Sequence, residues 1–108
     1  MKAHKTPDTI PVMALQEIAA LLPVHEFPVR LSSRSQCAAL AAEALWLFAQ
    51  RTGLSQEGET LNTLLVDFLA DVLHLCSHVG ITANMADDMT QLMAIAEMHH
   101  ESDAYPDD

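Results

Sequence analysis

Apolar side chains recur three and four positions apart along most of the chain, which is the spacing of amphipathic helices. The first such segment has an apolar face made of Leu15, Ile18, Ala19 and Leu22. Pro11 suits the first turn of this helix, and Pro23 ends it. Residues 23–31 contain a second proline, so they are predicted to form an extended connector.

The second predicted helix has well-marked ends. Ser33 followed by Gln36 is a capping-box pattern, and Gly53 after Thr52 is a typical helix stop. The predicted core face consists of Cys37, Leu40, Ala41, Ala44, Leu47 and Phe48. The polar face is narrow, so most of this helix is expected to be buried.

The third predicted helix runs from about Gln56, after a Ser55 cap, to His78, and Gly80 ends it. Its main apolar stripe consists of Leu61, Leu64, Leu65, Phe68, Val72, Leu75, Cys76 and Val79. A second apolar stripe consists of Val66, Leu69 and Leu73. A polar stripe separates the two, which makes this helix the most informative element of the chain.

A fourth helix is predicted after a cap at Thr82 or Asn84, and it ends near His100–Ser102. Residues 1–9 and 103–108 are expected to be disordered tails. The pattern thus predicts one all-α domain over residues 1–108, a four-helix, bundle-like fold. Helices that are apolar on more than one side need more cover than 108 residues offer, so we expect a homodimer.

The formal net charge of −10 is unevenly distributed. Residues 1–51 hold five basic and four acidic side chains, whereas residues 52–108 hold eleven acidic side chains and no Lys or Arg. Such a charge repels phosphate backbones and argues against direct binding of DNA or RNA. It favours a basic protein surface or a cation as partner, or it serves solubility alone.

The composition also bears on the compartment. The longest apolar run, residues 37–49, is too short to cross a bilayer, which needs about 20 residues. Cys37 and Cys76 lie in apolar helical stretches, where free Cys packs as a small hydrophobic side chain. No secretory signal follows Met1, so we predict a cytoplasmic protein without a membrane partner.

The polar stripe of the third helix is a candidate metal site. Asp67, Asp71, His74 and His78 lie within about 60° of one another on the helix. Carboxylates one turn apart can share Mg²⁺, and two His four residues apart can share a transition metal such as zinc. Glu43 either joins this stripe or faces solvent on its own helix. The alternative is an exposed polar face with Asp–His pairing.

The fourth helix is a candidate partner-binding element. Its acidic candidates are Asp87, Asp88, Glu97 and Glu101. Its apolar candidates are Met85, Met89 and Met93, because methionine side chains adapt to partner surfaces. Ordinary core packing explains the methionines equally well.

Two segments resemble the MazG-like all-α nucleotide pyrophosphohydrolases. In that family an ExxE pair on one helix and an ExxD pair on a later helix bind magnesium against a nucleoside triphosphate. Here Glu43 matches the first motif, with Trp46 in place of its second acid. Asp71 matches the end of the second motif, with Phe68 in place of its leading acid and Asp67 one position earlier. The resemblance implies Glu43, Asp67 and Asp71 as Mg²⁺ ligands.

This resemblance covers residues 36–106, and Tyr105-Pro106 is similar to the family's Arg-Tyr-Pro ending without its Arg. Two of the four motif acids are retained in register, and no Lys or Arg beyond Arg51 is present to hold phosphates. The resemblance therefore implies the fold more than the activity. The chain is also similar to the small helical proteins that phages and other mobile elements encode.

The sequence lacks the motifs of most familiar enzyme classes, and no catalytic residue is predicted. The chain has no glycine-rich phosphate loop, no Cys pair with zinc spacing, and no Ser or Cys in a nucleophile context. We therefore predict an acidic, non-catalytic interaction protein that acts as a regulator or inhibitor on a basic surface of nucleic-acid machinery. The alternatives are a magnesium-dependent pyrophosphohydrolase and a protein with a helix-borne transition-metal site.

Overall fold

The computed structural model describes residues 5–81 and 83–102, and these residues form helices and no strands. A 3-10 turn at Pro7–Thr9 precedes four helices, which are α1 (Ala14–Ala19), α2 (Arg34–Thr52), α3 (Leu61–His78) and α4 (Met85–Ser102). The predicted all-α class with four helices is confirmed. The turn at Pro7–Thr9 falls within a segment predicted to be a disordered tail. Residues 1–4 and 103–108 of the predicted tails lie outside the described residues.

Helix α2 begins and ends at the residues that its sequence predicts. Ser33 is the N-cap, and its side chain accepts a hydrogen bond from the backbone N–H of Gln36 at 3.1 Å. The Gln36 side chain accepts in turn from the backbone N–H of Ser32 at 2.7 Å, one residue before the position used in a capping box. Gly53 ends the helix in the left-handed region, with φ at 82°, which glycine adopts without steric cost.

The start of α3 differs from the prediction. A start near Gln56 after a Ser55 cap is wrong, because the helix begins at Leu61. Its N-cap is Thr60, whose side chain accepts from the backbone N–H of Thr63 at 3.5 Å.

A contact with the N-terminal segment explains this later start. The backbone N–H of Val12 donates to the Glu59 carbonyl at 3.0 Å, and that of Leu61 donates to the Ile10 carbonyl at 2.7 Å. These bonds hold the chain before α3 in an extended conformation. Gly58 also adopts a φ of 93°, which interrupts a right-handed helix.

The C-terminal end of α3 is a Schellman motif, which agrees with the predicted helix stop at Gly80. The backbone N–H of Gly80 donates to the Ser77 carbonyl at 3.1 Å, and that of Ile81 donates to the Cys76 carbonyl at 2.8 Å. Gly80 has a φ of 97°, so this turn depends on glycine.

Helix α4 follows directly on Asn84, one of the two predicted caps. The Asn84 carbonyl accepts from the backbone N–H of Asp88 at 3.0 Å, although Asn84 itself has a φ of 57°. Thr82, the other candidate cap, lies outside the described residues. The helix ends at Ser102, within the predicted range.

A small apolar core forms where the N-terminal segment, α2 and α3 meet. Its buried members are Val12, Leu15, Ala42, Ala49 and Leu64. The partly buried side chains around it are Ala19, Leu45, Trp46, Phe48, Leu54 and Leu61. The rings of Phe48 and Phe68 join α2 to α3 edge to face, with centroids 5.1 Å apart.

The buried face of α2 is not the predicted one. Four of the six predicted core residues are exposed, namely Leu40, Ala41, Ala44 and Leu47. The buried residues of the helix are Ala39, Ala42 and Ala49. Small side chains allow a neighbouring helix to approach closely, and α1 packs along α2. Leu45, Trp46 and Phe48 also pack against this core, whereas Leu40 and Leu47 are left on the opposite side, with Leu47 59% exposed.

Helix α4 lies apart from the other elements. Helices α1 and α3 both pack on α2, and α3 also contacts the turn at Pro7–Thr9, whereas α4 packs extensively on none of them. It contributes no buried residue to the core. The radius of gyration is 15.4 Å, above the value of about 13 Å expected for a compact domain of this length.

Candidate interaction surface

The predicted polar stripe of α3 forms and faces solvent. Asp67, Asp71, His74 and His78 are all exposed. Successive members lie three or four residues apart, so they follow one line along the helix. The stripe is thus a continuous polar surface on one side of α3.

Glu43 lies on a different surface of the molecule. Its side chain is exposed on α2 and lines a groove of about 120 Å³ between α2 and the connector. Phe27 of the connector and Leu40 of α2 line the same groove. The expectation that Glu43 faces solvent fits this position.

The candidate metal ligands do not converge. Within residues 5–81 and 83–102, no three Asp, Glu, His or Cys side chains are close enough together to hold a metal ion. The α3 stripe offers neighbouring pairs, and a stable site needs more ligands than a pair provides. Metal binding by Glu43, Asp67, Asp71, His74 and His78 therefore stays a prediction.

Three of the four predicted acids of α4 share one face. Asp87, Glu97 and Glu101 are exposed and lie within an arc of about 80° around the helix axis. We call these three residues the α4 acidic face. Asp88 is half-buried and lies about 100° further round, outside this face.

A second face of α4 is apolar and lies beside the acidic one. It spans about 100° around the axis, and we call it the α4 apolar stripe. Its members are Met85, Met89, Leu92, Met93 and Ala96. Leu92 is 57% exposed and Met93 is 55% exposed, whereas Met85 and Met89 are half-buried. The predicted methionines thus share one side of α4, and none of them belongs to the buried core.

Sequence reasoning missed the exposed apolar residues of α2. Leu40 and Leu47 lie on the side away from the core, in line with Cys37, Ala44 and Arg51. We call these five residues the α2 outer face. The sequence does indicate a second apolar surface on α2, because the helix is apolar on two sides and Ala39, Ala42 and Ala49 lie on the second side. The periodicity alone does not say which side packs inward.

The predicted stripes of α3 also divide between core and surface. Leu64 is buried, and most of the main stripe is half-buried, but Leu75 and Val79 near the end of the helix are exposed. The second stripe is exposed throughout, and its members are Val66, Leu69 and Leu73. Exposed apolar residues therefore occur on α2, α3 and α4.

The described helices lack the combination of length and apolar composition that crossing a bilayer requires. Comparison of the chain with protein-family models, with curated proteins and with solved structures found no match.

Proposed function

We propose that this chain is a small, non-catalytic interaction protein that binds a basic protein surface through the α4 acidic face. The observation that carries this proposal is the placement of Asp87, Glu97 and Glu101 on one exposed side of a helix that contributes nothing to the core. A helix that adds little to the stability of its own fold is available to a partner.

The charge around α4 supports a cationic partner. Beyond Arg51 the described residues hold eight acidic side chains and no Lys or Arg, and six of these acids are exposed. Uncompensated charge of one sign accelerates association with a surface of opposite sign and repels surfaces of the same sign. Nucleic acids are therefore poor ligands, and Lys- or Arg-rich protein surfaces are good ones.

The partner that fits best is a nucleic-acid-binding protein. Its basic cleft holds a phosphate backbone, and an acidic helix of about 27 Å can occupy the same cleft. From Asp87 to Glu101 the acidic face extends about 21 Å, which spans several phosphates along one strand. The protein would then act as an inhibitor or regulator by competing with the nucleic acid.

The proposed function is tested by a competition experiment. Purified DNA-binding proteins are loaded with a fluorescently labelled DNA duplex, and the acidic protein is titrated into each complex while the anisotropy is followed. We expect the wild-type chain to displace the duplex from at least one of them, and the triple variant Asp87→Lys, Glu97→Lys and Glu101→Lys to fail.

A matched control keeps the change in net charge the same. The control variant carries Asp8→Lys, Glu17→Lys and Glu26→Lys, three exposed acids outside α4. We expect it to compete nearly as well as the wild type. Equal loss in both triple variants would show that net charge, and not the α4 acidic face, determines binding.

A further inference from the structure

We infer that the chain forms a symmetric homodimer in which the α4 apolar stripe of each protomer packs on the α2 outer face of the other. This inference concerns the apolar side of α4, so it is independent of the partner that binds the acidic face. It also specifies which surfaces make the dimer that the apolar pattern predicts.

The exposed area of the single chain is larger than its size predicts. The chain exposes 8348 Å², whereas a folded monomer of its mass exposes about 5,900 Å². The excess of about 2,400 Å² is well above the roughly 800 Å² that each protomer contributes to an interface of ordinary size. The excess is therefore large enough to contain one interface of ordinary size.

The two faces have the same spacing. Met85, Met89, Leu92 and Ala96 follow one another at intervals of four, three and four residues along α4. The α2 outer face has intervals of three, four, three and four residues from Cys37 to Arg51. Both patterns are those of the core positions of paired helices. The helices also match in length, with 19 residues in α2 and 18 in α4.

Charge distinguishes this pairing from the other possible ones. Helix α4 carries four acidic residues and helix α3 two, and neither has a Lys or Arg. Pairing α4 with α4 or with α3 of a second copy therefore brings like charges together. Among the described helices only α2 carries arginines, and Arg51 lies on its outer face. Asp88, which flanks the α4 apolar stripe on the side away from the α4 acidic face, thus meets opposite charge on α2.

A second copy is the occupant because α4 does not pack on the α2 of its own chain. The outer face is open there around Leu47, which is 59% exposed, whereas Leu40 lines the groove beside the connector. In a symmetric dimer the contact between α4 and α2 forms twice, which doubles the buried area.

The oligomeric state tests the inference. Light scattering coupled to size exclusion should give twice the chain mass of 11.8 kDa for the wild type. Leu47→Glu on α2 and Leu92→Glu on α4 should each weaken the dimer at least about a hundredfold, because the lost burial occurs twice. Thr90→Glu adds the same charge on the polar side of α4 and should stay dimeric. Far-UV circular dichroism should show unchanged helix content, since all three residues are exposed in the single chain.

A mixing experiment identifies the paired faces. The Leu47→Glu chain keeps an intact α4, and the Leu92→Glu chain keeps an intact α2, so the mixture can form one of the two contacts. We expect a heterodimer in the mixture at concentrations where each variant alone is monomeric. A monomeric wild type, a dimer that Leu92→Glu breaks and Leu47→Glu does not, or a mixture without heterodimer would each overturn the inference.

Discussion

The position of the core is tested by truncating two leucines of the same helix. Leu64 is fully buried among Val12, Leu15, Ala42 and Ala49, whereas Leu69 is 48% exposed. Leu64→Ala removes buried methyl groups and leaves a cavity, at a cost of about 3 kcal/mol in the free energy of unfolding. Leu69→Ala loses partial burial only, at a cost of about 1 kcal/mol or less.

The difference is large relative to the stability of the whole protein. A chain of this length with a small core is expected to have a free energy of unfolding of about 5 kcal/mol. Urea denaturation followed by circular dichroism at 222 nm gives both free energies under one set of conditions. Equal losses for Leu64→Ala and Leu69→Ala would refute the assignment of the core to the N-terminal segment, α2 and α3.

Three further predictions concern other parts of the molecule. Ser33→Ala removes the side-chain cap of α2 and should lower the free energy of unfolding by about 1 kcal/mol in the same urea assay, and no change would argue against the cap. A chain that ends after Ile81 lacks α4. Because α4 has no buried residue, the free energy of unfolding of this shorter chain should lie within about 1 kcal/mol of that of the full chain when both are monomeric. A larger loss would place α4 in the core. Incubation with Mg²⁺ and nucleoside triphosphates should release no more pyrophosphate than buffer does, since no basic side chain beyond Arg51 is present to hold phosphates. Mg²⁺-dependent release that Asp71→Ala abolishes would establish the enzyme instead.

Local signals in the sequence predict the helices well. The cap at Ser33, the stops at Gly53 and Gly80 and the start after Asn84 depend on the backbone conformation of a few consecutive residues, and the structure has each of them. The start of α3 at Leu61 depends instead on hydrogen bonds to residues some fifty positions earlier. No local pattern records such a contact.

Which face of α2 packs inward also depends on contacts with distant parts of the chain. Helix α2 is apolar on two sides, with Ala39, Ala42 and Ala49 on one and Leu40 and Leu47 on the other, and the helical spacing alone does not select the inward side. The side with Ala39, Ala42 and Ala49 is buried where the N-terminal segment, α1 and α3 meet α2, and the other side is left uncovered. Leu40 and Leu47 are consequently left exposed.

The candidate site was predictable to the extent that it lies on one helix. The acidic side chains and the methionines of α4 share faces because of helix geometry alone, and only Asp88 departs from its group. Whether Glu43 lies near Asp67 and Asp71 depends on how α2 and α3 pack. The structure places Glu43 beside the connector, which the spacing of the acids along the chain does not reveal.

The central claim is that α4 binds a basic surface through Asp87, Glu97 and Glu101, and the salt dependence of binding tests it most directly. For a DNA-binding protein from which the duplex is displaced, the dissociation constant is measured between about 50 and 500 mM NaCl for the wild type and the triple Lys variant. We expect affinity of the wild type to fall steeply as salt rises, and the variant to bind weakly at every concentration. Wild-type binding that does not change with salt, or that the variant reproduces, would contradict the account.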